Sequence, residues 1–228
     1  MYADIKNSVL KANINLVKNG LVLLTFGNAS AIDREKGIVA IKPSGVSYEK
    51  MSIDDIVIIN LDGKIIEGSL KPSSDTNTHI EIYKRLNSIK GIVHTHSSWA
   101  TIWAQSEKAI PCLGTTHADH FYGEIPCTRK MTNEEIKGDY EKNTGIVISE
   151  CYNNIDPFDM PAILVNNHGP FTFGNNVESA VYNAIVLEEV AKMAFHNIHL
   201  SNAKEIDKAL LDKHFKRKHG SDAYYGQG

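Results

Sequence analysis

The chain has 228 residues, 42% of them hydrophobic and 22% charged, with a formal net charge of −3 at pH 7 and a pI near 6.4. That balance supplies a full core for one large domain or two small ones and gives no general attraction to nucleic acid or to an anionic membrane. No apolar run reaches the ~20 residues needed to span a bilayer. The start of the chain lacks the apolar core of a signal peptide, and Cys112, Cys127 and Cys151 are an odd number at wide spacing, as expected of reduced thiols in a cytoplasmic protein.

Residues 5–19 are predicted to form a helix, with Ile5, Val9, Ala12 and Leu16 on one face and Gly20 as its stop. Residues 21–26 have the pattern of a buried strand. Segments 30–33 and 37–41 are predicted to pair as a hairpin across Arg34-Glu35-Lys36, and segments 56–60 and 64–67 flank Asp62-Gly63, a hairpin turn signal. Between these hairpins lies Lys42-Pro43-Ser44-Gly45, a turn carrying a cation and a hydroxyl. A helix with Ile80, Tyr83 and Leu86 inward is predicted after Lys71-Pro72-Ser73-Ser74-Asp75-Thr76. Serines and an aspartate at a helix start are ordinary caps. The same hydroxyls, with the free N–H groups of a helix start, can also bind an anion such as phosphate.

In Gly91-Ile92-Val93-His94-Thr95-His96 an apolar pair runs into two histidines one residue apart. On a strand, positions i and i+2 share a face, with α-carbons about 6.6 Å apart, so both imidazoles could meet one metal ion. A bare His-x-His is a loose motif, more often met by half-buried strand histidines bonded to backbone or water. The context adds Asp75 upstream, and His168 after a second apolar strand, Ala162-Ile163-Leu164-Val165. Three imidazoles with a carboxylate make a plausible catalytic zinc set.

Trp99, Ala100 and Trp103 indicate a short packed helix. The polar run from Gly114 to Phe121, including His117, Asp119 and His120, is costly to bury unless bonded or functional. Thr132 with Glu135 forms a capping box for a helix that carries Ile136 and Tyr140 and continues or restarts through 146–148. The longest helix is predicted over 177–198, on a broad apolar stripe. Asn202 and Glu205 are expected to cap a last helix through Leu211 and Phe215, and the basic tail beyond it, taken alone, is expected to be solvated and frayed. With no repeat and no linker, the chain is expected to be one α/β domain, 1–228, with helices on both faces of a largely antiparallel sheet.

Several blocks, in order, carry a family resemblance: Thr25-Phe26-Gly27-Asn28, Ile41-Lys42-Pro43-Ser44-Gly45-Val46, Lys71-Pro72-Ser73-Ser74-Asp75-Thr76 and His94-Thr95-His96. Gly114-Thr115-Thr116-His117-Ala118-Asp119, His168-Gly169-Pro170-Phe171 and the end Arg217-Lys218-His219-Gly220 with Tyr224-Tyr225-Gly226-Gln227 continue it. Nearly end to end, the chain resembles the class II aldolase/epimerase (aldolase/adducin) superfamily. Asp75 stands where the aldolase branch has a glutamate base, and the His117-Ala118-Asp119 block and the Tyr-Tyr-Gly-Gln end are similar to the epimerase branch.

The resemblance implies a three-layer αβα fold with a central, mostly antiparallel sheet. It implies zinc, or another divalent metal, on His94, His96 and His168, with Asp75 as a further ligand or a metal-site carboxylate. It implies a phosphate site from Gly27, Asn28, Ser44, Gly45, Ser73 and Ser74 with Lys42 close by, and Asp119 and Tyr225 as acid/base groups. His214 and Arg217 are expected either to order the tail or to meet the phosphate. The implied assembly is a homotetramer with active sites between subunits, Tyr225 serving a neighbour's site.

The implied substrate is a small phosphorylated ketopentose, and the implied reaction interconverts L-ribulose 5-phosphate and D-xylulose 5-phosphate. The C4 hydrogen is not α to the C2 carbonyl, so breaking and remaking C3–C4 is the easier route to inversion. Alternatives are an aldolase that releases both fragments and a non-catalytic binding module, as in the adducin head.

Overall fold

The computed structural model describes residues 2–219 and 223–224. Helix α1 (Ala3–Lys18) leads into an antiparallel meander, β1 (Asn28–Asp33), β2 (Ile38–Ile41), β3 (Val57–Asn60) and β4 (Ile65–Glu67). Helix α2 (Thr76–Arg85), strand β5 (Gly91–His94) and helices α3 (Ser98–Gln105), α4 (Thr115–Ala118), α5 (Asn133–Lys137) and α6 (Tyr140–Glu150) follow. Strands β6 (Ala162–Leu164) and β7 (Pro170–Gly174) then complete the sheet before α7 (Val177–Leu200) and α8 (Lys208–Lys216). The seven strands lie in the order β4-β3-β2-β1-β5-β7-β6, and each neighbouring pair is antiparallel.

Period-two alternation assigns the two faces of the sheet. Ala29, Ala31, Ala40, Ile58 and Val93 face a layer made by Val9, Ala12 and Leu16 of α1 and by Val177, Ala180, Val181 and Ala184 of α7. The alanines let these helices approach closely. Ile32, Val39, Ile41, Val57, Ile59 and Ile92 face the opposite layer, with Ile80, Ile82 and Tyr83 of α2 and Ile148 of α6. Each such fully buried aliphatic side chain contributes about 1.5–3 kcal/mol. A third cluster packs α3 and α7 over Ala162 and Leu164. The result is the expected αβα arrangement of three layers. No helix among the described residues is long and apolar enough to cross a membrane.

Both predicted hairpins form, as do the capping box of Thr132 with Glu135 and the long α7. Segment 21–26 is not a strand. Leu23, Leu24 and Phe26 are 70%, 81% and 54% exposed, Leu24 has φ of 52°, and β1 is already paired on both sides, by β2 and β5. The apolar run therefore has no place beside β1, the strand it leads into. Helix α8 starts later than expected, at Lys208 after Asp207, because the preceding segment is tied down by the Ile206 N–H donating to Cys112 O at 3.0 Å. Strand β7, unforeseen, carries Phe171 and Phe173 and closes the sheet against β5 and β6.

Candidate active site

The candidate site sits at one end of the sheet, where several elements begin or stop together. Asn28 opens β1 directly opposite His94, the last residue of β5, and His94 is opposite Phe171 of β7. Ser44 lies three residues past the end of β2, and Asp75 immediately precedes α2. One cleft of about 490 Å³ is lined by Gly27, Asn28, Lys42, Ser44, Gly45, Ser73, Ser74, Asp75, His94, His96 and His168, among others.

Strand β5 ends at His94, so His96 lies beyond it rather than on the strand. Thr95 stays close to β7, its N–H donating to Pro170 O at 3.3 Å, and the two histidine rings still converge. The ring centroids are 5.0 Å apart for His94–His96, 4.8 Å for His94–His168 and 5.0 Å for His96–His168. One nitrogen from each ring lies within 4.8 Å of the others, so the three could hold a metal ion. The His94 ring stacks on Phe171 at 4.2 Å and its Nδ1 donates to Pro170 O at 3.0 Å, which leaves Nε2 as the bare nitrogen. Buried Nδ1 of His168 has no hydrogen-bond partner among the described residues. Burial, reinforced by His94 and His96, pushes His168 down to about 3, and burial with His94 lowers His96. Neutral imidazoles with unpaired nitrogens are the form that a divalent cation needs, so the donor set fits one.

Asp75 lines the cleft but stands outside that three-histidine group. Its Oδ2 accepts from Asn28 Nδ2 at 2.6 Å, and its side chain makes no cap to α2. Burial works to raise its carboxyl, but His94, His79 and the Asn28 bond outweigh burial and hold it below the usual carboxylate range.

The hydroxyl-rich wall is assembled by backbone pairing. Ser44 N–H donates to Lys71 O at 2.9 Å and Ser73 N–H to Lys42 O at 3.0 Å, which sets Lys42-Pro43-Ser44-Gly45 beside Ser73-Ser74. Lys42 is buried, with Nζ 3.2 Å from Pro43 O and 4.8 Å from the centre of the Tyr48 ring, and burial lowers its pKa. Gly27 has φ of 95°, and a Cβ there would lie 2.9 Å from both His94 O and Val22 Cγ1. Only glycine lets the backbone pass this close to β5.

Asp119 is held elsewhere. It follows α4 and does not line the cleft; His214 Nδ1 is 2.9 Å from its Oδ1, and Arg217 donates to both of its oxygens. His214 and Arg217 are therefore gathered on Asp119, not on the serines, and the described part of the tail is docked rather than frayed. Tyr225 lies outside the described residues.

Two neighbours of the site were not singled out in the sequence. His79 is fully buried, Nδ1 is 2.7 Å from Ser30 Oγ, and Nε2 has no partner among the described residues. Its position four residues after Asp75, within the first turns of α2, was the available signal. Tyr48, whose hydroxyl donates to Gly27 O at 2.7 Å, gave none, because only the fold brings these residues together.

A model of the class II aldolase and adducin N-terminal domain matches residues 7–195. The proteins called L-ribulose-5-phosphate 4-epimerase UlaF from Salmonella paratyphi C and Salmonella choleraesuis are each 54% identical to this chain over 224 residues, 98% of either length. Among solved structures, an L-fuculose 1-phosphate aldolase superposes with a TM-score of 0.79 at 24% identity, over 94% of this chain and 96% of its own. The L-fuculose 1-phosphate aldolase of Glaciozyma antarctica PI12 does so with a TM-score of 0.80 at 21% identity, over 97% and 84%. The latter two likenesses concern the fold. With the family model covering most of its length and relatives alike from end to end, the chain belongs to the class II aldolase and adducin family.

Proposed function

We propose that this chain, acting as a single domain over residues 1–228, interconverts L-ribulose 5-phosphate and D-xylulose 5-phosphate by cleaving and re-forming the C3–C4 bond. The observation that carries the proposal is the 54% identity, over 98% of both chains, to proteins named for this reaction. A cleft that joins three histidines to a hydroxyl and glycine wall supports it.

His94, His96 and His168 would hold a zinc ion, with Asp75 as the metal-site carboxylate. When bound, zinc supplies Lewis-acid stabilisation of the negative charge left on the three-carbon fragment. The phosphate is read by the hydroxyls of Ser44, Ser73 and Ser74 and by the backbone at Gly27 and Gly45, all residues that line the cleft. Lys42, which also lines the cleft, adds positive charge, and Asn28 both meets the phosphate and steadies Asp75. These contacts keep glycolaldehyde phosphate in place while it turns over, so that re-addition to its other face is effectively unimolecular.

Inversion moves a proton off the C4 hydroxyl on one side and onto the new alkoxide from the other. Asp119 and Tyr225 serve those two sides. Because Asp119 does not line the histidine cleft of its own chain, they would be supplied across a subunit boundary in a homotetramer in the cytoplasm.

The test is to incubate the purified protein with L-ribulose 5-phosphate, with and without a chelator. D-xylulose 5-phosphate should form, disappear as a product after chelation, and return when zinc is added back. Accumulation of free glycolaldehyde phosphate in place of the epimer would make the protein an aldolase.

A further inference from the structure

Away from the residues that line the cleft, a second cluster of charge surrounds Asp119. Arg217 Nε donates to Oδ1 at 3.0 Å and Arg217 Nη2 to Oδ2 at 2.6 Å, a two-pronged grip. His214 Nδ1 shares Oδ1 at 2.9 Å, Lys218 Nζ stands 3.6 Å from Oδ2, and His219 Nε2 is 3.0 Å from the Asp119 backbone oxygen. We propose that Arg217 is a positioning residue for Asp119, fixing the plane and direction of the carboxylate that moves the proton. The inference rests on the role given to Asp119 above.

The geometry favours this role over a direct contact with the substrate phosphate. A planar guanidinium that spends two parallel N–H groups on one carboxylate fixes that group's orientation, which an ammonium cannot do. The platform is also rigid. Phe215 is buried, its ring 4.2 Å from that of His219 and 4.9 Å from that of Tyr122, and Tyr122 Oη donates to Asp212 Oδ1 at 2.5 Å. Helix α8 is thus fastened along its length to the segment that follows α4. Tyr224 N–H donates to Arg217 O at 3.0 Å, so the described part of the tail returns to the same residue.

The other titratable groups around Asp119 do not replace Arg217. On its own segment, His117 donates from Nε2 to Gly123 O, and burial pushes both His117 and His120 down to about 4. From α7, Tyr182 faces His120 with ring centres 5.5 Å apart. From segment 156–160, Asp159 is raised by burial and by Asp156. Beyond Tyr122, Lys208 is paired with Asp212. Arg217 alone among the described residues reaches both carboxylate oxygens within 3.0 Å, and its charge persists at any working pH.

Arg217→Met and Arg217→Lys test the proposal in the full-length, metal-loaded protein. Both should lower kcat by about 10²-fold, the loss expected from a misaligned reacting group, with KM for the phosphorylated ketopentose within about twofold of the parent. Lysine keeps the charge and serves as the second variant if methionine prevents folding. The acid limb of the kcat profile should move to higher pH, because the carboxylate loses bonds that favour its ionised form. Adding Asp119→Asn to Arg217→Met should cost little more than Asp119→Asn alone.

Independently of activity, the carboxyl carbon of Asp119, followed by NMR, should titrate at higher pH in Arg217→Met than in the parent. A raised KM with kcat and the acid limb unchanged would make Arg217 a phosphate contact and overturn the proposal. An unmoved Asp119 titration would overturn it as well. Full activity in Asp119→Asn would remove both the proposal and the role of Asp119, while the reaction itself is judged separately, by the product that the parent enzyme forms.

Discussion

Asp75 occupies the N-cap position of α2, yet its carboxylate bonds Asn28 Nδ2 at 2.6 Å and leaves the helix uncapped. A capping aspartate is ordinarily worth about 1 kcal/mol to a helix. Here that contribution is forgone and the charge is turned toward the histidines. Asp75→Asn should therefore leave the metal-free protein within about 1 kcal/mol of the parent in urea unfolding, while metal affinity falls roughly 10–100-fold, as for other groups that tune a metal site. A large loss of stability with unchanged metal affinity would return Asp75 to a purely structural role.

His94→Ala and His96→Ala should each lose bound metal and activity and still fold. His96 is exposed to the cleft, and His94 terminates its strand rather than interrupting it. Elemental analysis after purification is the measurement, and full metal occupancy in either variant would remove that residue from the ligand set.

Much of this site was legible because its residues lie at element ends, where local signals are strong. Two histidines at i and i+2 after Ile92-Val93, and paired serines before a helix, were visible as candidates, although half-buried strand histidines and ordinary helix caps fit the same patterns. The placement of Ser44 beside Ser73 was not legible in any local pattern and entered only through the family resemblance, since it depends on the backbone bonds that Ser44 makes to Lys71 and Ser73 makes to Lys42. Segment 21–26 misled because an apolar run becomes a strand only if a partner strand is within reach, and both sides of β1, the strand it leads into, were taken. The tail misled for the opposite reason. Lys, Arg and His in a row predict solvation, but one distant carboxylate, Asp119, turns them inward.

Ser74→Ala should chiefly raise KM for the phosphorylated ketopentose and leave kcat within a few-fold of the parent. The side chain lines the cleft beside Ser44 and Ser73, next to the start of α2, where the helix dipole favours an anion. Loss of one hydrogen bond to a charged group is worth about 1.5–3 kcal/mol, or roughly ten- to a hundred-fold in KM. Steady-state kinetics decides, and an unchanged KM would leave Ser74 with no part in phosphate binding.

Gly27→Ala and Gly45→Ala separate conformation from space. Both positions have positive φ, 95° and 69°, but only Gly27 would drive its new methyl to 2.9 Å from His94 O, whereas Gly45 faces open space. Gly45→Ala should cost about 1 kcal/mol in urea unfolding. Gly27→Ala should add an overpacking cost of roughly 1–3 kcal/mol and disturb His94 as well. Equal losses for the two variants would mean that the approach of Gly27 to β5 is not tight in solution.

Asp119 bonds to α8 and is absent from the lining of its own chain's cleft, while Tyr225 follows Tyr224, which bonds back to Arg217 at the end of that helix. If both groups act as proposed above, a neighbouring subunit would present them. Tyr225→Phe should then cost activity by roughly 10²–10⁴-fold, the usual worth of a general acid or base, with metal content and assembly unchanged. Tyr225→Phe chains retain intact histidines, and His94→Ala chains retain an intact tail, so each can supply what the other lacks. Co-expressed in equal amounts and mixed at random in a closed ring, they should regain about one quarter of parental activity, because each working site needs one particular chain on each side of a heterologous interface. Recovery near that value supports a site shared between subunits. A mixed assembly that stays as inactive as its parents would mean that tail and histidines must belong to one chain.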